Sequence, residues 1–389
     1  MEVLRFLTAG SVDDGKSTLI GRILYESGAL KKDQLETIAA LDSANKIDYS
    51  LFTDGLGFER EHKITLDVSY QYFSTAKRRF IIADCPGHAE YTRNMISGAS
   101  TAATLVLMLN AAKGVQPQTE LHLRIAAMLE IPNIVVCINK MDLVAYDEVR
   151  YNRLVKAIKA LNLIKREIHF IPTSATNGDS IVIKSNNMPW YKGPSLLALL
   201  ETLPIKPLKT GAAAFAVQLS HQIKGEQFLL GHVLSGKIEC GATLTLYPEE
   251  RSVSISKIHQ GEKEVQALTT GDYGTLMIRE KGPVGNGVVL TDQSHKGKMS
   301  QTANAKLCWM NDVPFADKAY IFKSVVQKTS CELDLPTKDV VVLNSIFKAQ
   351  LKFDESIFVS TYTQDKQLGA FILIDKETNN TVAAGTITQ

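Results

Sequence analysis

The run Gly10-Ser-Val-Asp-Asp-Gly15-Lys16-Ser17 constrains this chain more than any other stretch. It fits G-x-x-x-x-G-K-[ST], and it stands directly after an apolar run, residues 3–8, and directly before residues 16–30, whose apolar positions recur at three- and four-residue spacing. A glycine-rich turn between a buried strand and an amphipathic helix gathers backbone N–H groups at the positive end of the helix, where a phosphate group is held. Lys16 is then expected to span the outer phosphates, and the Ser17 hydroxyl to stand beside a Mg²⁺ ion. The bare pattern also occurs in loops that bind nothing. Its place between strand and helix argues against a mere turn.

The same alternation continues to about residue 205. Residues 80–83, 105–110, 134–138 and 168–172 read as buried strands, and residues 89–100, 119–129 and 148–161 as helices. Strand and helix in alternation predict an α/β domain, a mostly parallel sheet with helices on both faces. Residues 66–73 and 79–83, joined by a polar turn, predict an antiparallel hairpin at one side of it. Leu203-Pro-Ile-Lys-Pro-Leu-Lys-Thr-Gly211 breaks every period and reads as a linker. Beyond it, short alternating strands are interrupted every ten residues or so by Gly, Pro or Asn, the texture of small all-β barrels or sandwiches. A softer boundary at Ser294-His-Lys-Gly-Lys298 divides this part in two. The expected domains are 1–205, 206–296 and 297–389, a usual number for 389 residues.

Charge and cysteine usage remove several function classes. Lys and Arg number 43 against 41 Asp and Glu, a net charge of +2, so no global field draws the chain to nucleic acid or to an anionic membrane. The longest apolar runs fall well short of a membrane span, and the first residues carry acid and base too early for a secretory signal. Five scattered cysteines with no C-x-x-C pair argue against disulfides and zinc, and a cytoplasmic location is expected. His221, His232 and His259 are spaced too irregularly for a metal set and are expected at the surface or on edge strands. Lys77-Arg-Arg79 reads as a solvated turn, Trp190 and Tyr191 as packing between linker and sheet, and Cys85 and Cys137 as small apolar residues in or near buried strands.

Two further motifs fall where a phosphate loop needs them. Asp84-Cys-Pro-Gly87-His88 follows a strand, placing Asp84 as a Mg²⁺-shell acid and Gly87 with its N–H towards a γ-phosphate. Asn139-Lys140-Met-Asp142 also follows a strand, and the Asp142 carboxylate can accept two N–H groups from a guanine edge, a match that adenine cannot make. Ser174-Ala175-Thr176 comes one strand later. Thr65, in a polar stretch before the hairpin, is placed to complete the Mg²⁺ shell. In this order the motifs predict a GTPase.

With Asp54-Gly-Leu-Gly-Phe-Glu-Arg-Glu61 and Asp84-Cys-Pro-Gly-His-Ala-Glu-Tyr-Thr-Arg-Asn-Met95 added, the chain resembles the GTPase subunit of bacterial sulfate adenylyltransferase, within the wider elongation factor Tu family. The resemblance runs the whole length, through Asn187-Met-Pro-Trp-Tyr-Lys-Gly-Pro-Ser195, Gly231-His-Val-Leu-Ser-Gly236 and Phe371-Ile-Leu-Ile-Asp-Lys376. It implies a P-loop GTPase domain followed by two β-barrels. It also implies GTP hydrolysis that drives ATP and sulfate to adenosine 5′-phosphosulfate and diphosphate, with adenylyl transfer on a separate small subunit as partner. By the same resemblance Asp13, Asp14, Gly15, Lys16, Ser17, Thr18, Asp84, Gly87, Asn139, Lys140, Asp142, Ser174 and Ala175 hold GTP, and Ser17, Thr65 and Asp84 serve Mg²⁺. His88 orients the attacking water behind an apolar gate of Val12 and Ile64, and Asp13 helps to hold a monovalent cation.

The wider family carries G-H-V-D-H-G-K in the phosphate loop, where this chain has Ser11 and Asp14. Lys63 stands where the family has glycine, a position at which lysine lacks glycine's access to positive φ. Ser174-Ala-Thr176 replaces the usual S-A-L or S-A-K, a change that should matter little. No second phosphate loop occurs, so the fused adenylylsulfate kinase of some relatives is expected to be absent. Two other readings stand beside this one: a translation-factor-like GTPase whose barrels carry RNA, and a subunit of an adenylyltransferase for another oxyanion.

Overall fold

A strand buried on both faces must be apolar through its middle, and residues 105–109 and 134–138 in the first unit are. The computed structural model describes residues 2–30, 47–52, 68–88, 92–205, 211–223, 226–279, 282, 284–285, 287–336 and 340–389. The chain divides into two compact units, Met1–Ile205 and Lys206–Gln389.

In the first unit β1 (Val3–Ala9), β2 (Ser69–Ser74), β3 (Arg79–Asp84), β4 (Thr104–Asn110), β5 (Asn133–Asn139) and β6 (Ile168–Pro172) form one sheet in the order β2-β3-β1-β4-β5-β6. Every neighbouring pair is parallel except β2 with β3, the antiparallel hairpin at the edge. The helices are α1 (Lys16–Glu26), α2 (Thr92–Ala99), α3 (Pro117–Met128), α4 (Glu148–Ala160) and α5 (Leu196–Thr202). α1 stops short of residue 30, because Ser27 and Gly28 turn back to bond the carbonyls of Ile23 and Tyr25.

α5 escaped the sequence reading, since two turns are too short to show a period. It is fixed by Ser195, whose hydroxyl accepts the Ala198 N–H at 3.4 Å, and by buried Leu196, Leu197, Leu199 and Leu200. Its far end explains why Lys77-Arg-Arg79 is not simply a solvated turn. Arg78 is 8% exposed, and its guanidinium donates to the carbonyls of Leu200 at 3.0 Å and Leu203 at 2.7 Å and pairs with Glu2 at 3.1 Å. A cation thus satisfies carbonyls that the helix end leaves without internal partners.

Trp190 and Tyr191 pack on α4, where the Trp190 ring lies 5.1 Å from Tyr151 and its Nε1 donates to the Tyr146 carbonyl at 3.1 Å. Cys85 and Cys137 are buried as expected. Among the described residues no helix is long and apolar enough to cross a membrane.

The second unit forms two closed antiparallel barrels, as the resemblance implied and as the alternating strands alone left open against sandwiches. The first is built from β7 (Ala214–Ile223), β8 (Glu226–Ser235), β10 (Thr243–Tyr247), β11 (Arg251–Gln260), β12 (Lys263–Val265), β14 (Tyr273–Ile278) and β15 (Val289–Thr291), while β9 (Lys237–Glu239) and β13 (Ala267–Thr269) pair as a separate two-stranded sheet. Its sheet runs β10-β15-β7-β8-β14-β11-β12 and is closed by pairing of β10 with β11. The second barrel uses β16 (Lys298–Trp309), β17 (Tyr320–Lys323), β18 (Lys328–Asp334), β19 (Ile346–Val359), β20 (Ala370–Ile374) and β21 (Thr381–Ile387). Closure removes the sheet edges that an open sheet would expose.

An apolar seam joins the barrels, with Ala214, Ala216, Leu234 and Val289 against Phe358 and Leu368. His232 belongs to that region rather than to the surface: it is 7% exposed, stacked on Tyr273 at 5.0 Å, with Nε2 3.4 Å from Gln367 of the second barrel. Strand alternation could not reveal this, because the seam covers an outward-facing position of the barrel. His221 is exposed and His259 half-buried.

Candidate functional site

In a parallel sheet the carboxyl ends of the strands share one edge, and each loop that leaves it can reach the same crevice. β1 leads into the loop at Gly10, β3 ends on Asp84, β5 ends on Asn139, and β6 is followed by Ser174. β1 and β3 pair with Thr8 opposite Asp84. The Thr8 hydroxyl donates to Asp84 Oδ1 at 2.8 Å, which fixes a carboxylate that is only 1% exposed.

The loop is shaped around Lys16. Its ammonium, nearly buried, donates to the carbonyls of Gly10 at 2.9 Å and Ser11 at 3.0 Å. Burial pulls its pKa below the usual lysine range, opposed by Asp84 and Asp14. Gly15, in the left-handed region at φ 97°, precedes α1, and a Cβ there would strike the Asn139 carboxamide. A Cβ on Gly87 would meet Lys16 Nζ and the Gly10 carbonyl oxygen, so the turn after β3 passes directly over the lysine. α1 has no side-chain cap and no acid in its first turn, so its first N–H groups have no side-chain acceptor. Ser17 and Thr18 are half-buried in that first turn.

Asn139 binds three segments together. Its Nδ2 donates to the Asp14 carbonyl at 2.8 Å, while its Oδ1 accepts the Ala175 N–H at 2.9 Å and the Thr173 hydroxyl at 3.2 Å. The carboxamide therefore acts between loops. Lys140, at φ 61°, opens the short 3₁₀ turn Met141–Val144, with Asp142 half-buried in it. Ser174 is fully buried, and its carbonyl accepts the Gly178 N–H at 2.8 Å. Tyr146, through its hydroxyl at 2.9 Å, and Asn187, at 3.1 Å, hold the Asp179 carboxylate beneath that turn.

Val12 is 37% exposed at the loop tip. Asp13 beside it is exposed, with its carboxylate 3.7 Å from the Lys113 ammonium. His88 is exposed in the turn that follows β3. Thr65 and Ile64, with Lys63, lie outside the described residues.

Sequence reasoning missed Thr8, Thr173 and His122. The two threonines act only through partners brought near by the sheet, and no motif marks them. His122, on α3, is fully buried, and burial with help from Lys16 pushes its imidazole down to about 3. Its Nε2 lies 3.1 Å from Gln118, one helical turn back, and its Nδ1 is buried without a partner. The i, i+4 spacing of Gln118 and His122 was the available signal.

A nucleoside polyphosphate with Mg²⁺ fits this donor set, an uncapped helix start, a lysine laid over its own loop and glycines where a Cβ would intrude. Among the described residues no group of three or more His, Cys, Asp or Glu is placed to hold a metal. That is compatible with Mg²⁺, which takes few protein ligands and relies on phosphate and water oxygens.

Sheet order, phosphate loop and paired barrels define a GTP-binding protein of the elongation factor Tu type. Residues 1–209 match the family described as elongation factor Tu GTP binding domain, and residues 302–388 match the eEF1A C-terminal domain-like family. The chain is 39% identical to sulfate adenylyltransferase subunit 1 of Teredinibacter turnerae and 37% identical to that of Saccharophagus degradans. Each alignment covers 99% of this chain and 87% of the relative. It belongs to the sulfate adenylyltransferase subunit 1 family. The GTP-bound Ski7 GTPase-like domain of S. cerevisiae shares the fold, with a TM-score of 0.56 at 16% identity over 100% of this chain and 97% of that one.

Proposed function

We propose that this chain is the GTP-hydrolysing, energy-coupling subunit of a sulfate adenylyltransferase. GTP hydrolysis here drives the formation of adenosine 5′-phosphosulfate and diphosphate from ATP and sulfate, and adenylyl transfer itself occurs on a separate small subunit. The observation that carries this reading is near-full-length identity to proteins named subunit 1 of that enzyme, in a chain with one phosphate loop and a guanine-type motif. The acceptor chemistry therefore belongs to the partner, and this chain supplies a nucleotide switch, which can bias a second site only through a difference between its two states.

In this reading Gly15, Lys16, Ser17 and Thr18 cradle the phosphates, with Asp13 and Asp14 in the same loop. Asp142 reads guanine, Lys140 flanks the base, and Asn139, Ser174 and Ala175 set the base-side loops. Ser17, Thr65 and Asp84 serve Mg²⁺, which supplies charge neutralisation between the phosphates. Gly87 senses the γ-phosphate and His88 orients the water, with Val12 and Ile64 as the gate. Asp13 contributes to a monovalent-cation site. The working division is 1–205, 206–296 and 297–389, in a cytoplasmic heterodimer or a multiple of it, with no nucleic acid or membrane as partner.

The test is release of GDP and of diphosphate with each of GTP, ATP, sulfate and the small subunit left out in turn. The chain alone is expected to hydrolyse GTP slowly and to make no adenosine 5′-phosphosulfate, and both reactions should start together in the complete mixture. Product made by this chain alone, or GTP turnover indifferent to the partner, would overturn the reading.

A further inference from the structure

The phosphate loop contains a negative charge where its ligand is itself an anion. Asp14 is 1% exposed; its Oδ2 accepts the Ser11 N–H at 2.7 Å, and its Oδ1 is buried with no hydrogen-bond partner. The backbone of the same residue is held as well, its carbonyl accepting the Asn139 carboxamide N–H at 2.8 Å. A Cβ built on Gly10 would stand 3.4 Å from Asp14 Oδ2. The carboxylate thus lies against the same loop start whose carbonyls, Gly10 and Ser11, position the Lys16 ammonium at 2.9 and 3.0 Å. Burial pushes the Asp14 carboxyl above the usual aspartate range, opposed by the Ser11 N–H and by the charges of Lys16, Lys113 and Lys140.

We propose that Asp14 weakens the grip of this loop on nucleotide phosphate and sets the rate at which GDP leaves; the proposal rests on the GTP reading of the site. In a site shielded from water, a fixed carboxylate a few ångströms from a diphosphate raises the free energy of the bound state, and it shares with that diphosphate the charge of Lys16. Repulsion of this short range acts on the formed complex, so it appears in the dissociation rate more than in the association rate. A GTPase that must cycle repeatedly between GTP and GDP gains from such a release device.

The experiment follows release of a fluorescent GDP derivative, chased with unlabelled GDP, from the full chain and from three variants. Asp14→Asn keeps an oxygen for the Ser11 N–H and removes the charge, and release should slow on the order of tenfold. Asp14→Ala should also be slower than the unmodified chain, whereas Asp14→Glu, which retains the charge, should stay fast. If the side chain only braces the loop, Asp14→Asn will match the unmodified protein and Asp14→Ala will release faster. That outcome, or an Asp14→Glu variant as slow as Asp14→Asn, overturns the proposal. Failure of the unmodified chain to bind GDP would instead overturn the site reading beneath it.

Discussion

The Asn139 carboxamide and the Asp14 carbonyl, 125 positions apart in the chain, meet at 2.8 Å. Through this contact the strand that carries the guanine-type motif also holds the phosphate loop. Replacing Asn139 by Ala removes that donor and leaves the Ala175 N–H, bonded at 2.9 Å, without its acceptor. The expected loss is about 1–3 kcal/mol of stability, with GDP affinity falling by roughly tenfold or more. Thermal unfolding and a fluorescent-GDP titration check both. Unchanged affinity would mean that the two loops hold their shape independently.

Base choice should reside in one carboxylate. Asp142, half-buried in the 3₁₀ turn after Lys140, accepts N–H groups in the proposed complex. Asp142→Asn should therefore turn preference from guanosine towards xanthosine nucleotides, whose edge offers an acceptor in place of a donor. Competition binding with GDP, XDP and ADP measures it, and the unmodified chain should discriminate strongly against ADP. Equal affinity for ADP and GDP would remove the base assignment.

His88→Ala should lower partner-stimulated GTP turnover on the order of 10²-fold while leaving GTP binding nearly unchanged, the pattern for a group needed only as the water attacks. Single-turnover hydrolysis beside equilibrium binding separates the two. Normal turnover would assign the water to another group.

His122 makes stability depend on pH with a definite sign. Its folded-state pKa, about 3, lies below the ordinary histidine value of 6.5, so between these values the unfolded chain binds more protons than the folded one. Stability is then complete above pH 6.5 and falls as the pH drops towards 3, by up to about 1.4 kcal/mol per unit from this group. Urea unfolding at pH 7.5, 6 and 5 should show a steeper loss for the unmodified chain than for His122→Gln. Parallel curves would mean that His122 finds a proton-accepting partner in the folded state.

Arg78 is expected to matter for stability and little for the nucleotide. Arg78→Met leaves the Leu200 and Leu203 carbonyls without the donor that reaches them at 3.0 and 2.7 Å, and about 2–4 kcal/mol should be lost. A lowered melting temperature with GDP affinity retained below the transition is the expected result. An unaltered melting temperature would show that water replaces the guanidinium at no cost.

Of the site, the parts legible in sequence were those whose chemistry is local. The phosphate loop, Asp84, Asn139 and Asp142 each follow an apolar strand directly, so a strand end and a short motif suffice to put them on one edge of a parallel sheet. Arg78, expected on a solvated turn, and His232, expected at the surface or on an edge strand, are buried by α5 and by the second barrel, neither of which is near them in the chain. Thr8 and Thr173 are ordinary strand-end threonines until partners 76 and 34 positions away come within reach.

The sequence by itself determined the alternation of strand and helix, the all-β texture after the linker and the order of the nucleotide motifs, because periodicity and turn chemistry are set by neighbours a few residues apart. The resemblance already implied barrels, and only the tertiary structure decided which strands pair to close them, that Asn139 serves the loops it joins, and that Asp14 and His122 are buried. Those outcomes depend on strand pairing and on loss of water, which are properties of segments meeting across the fold and are written in no single stretch of the chain.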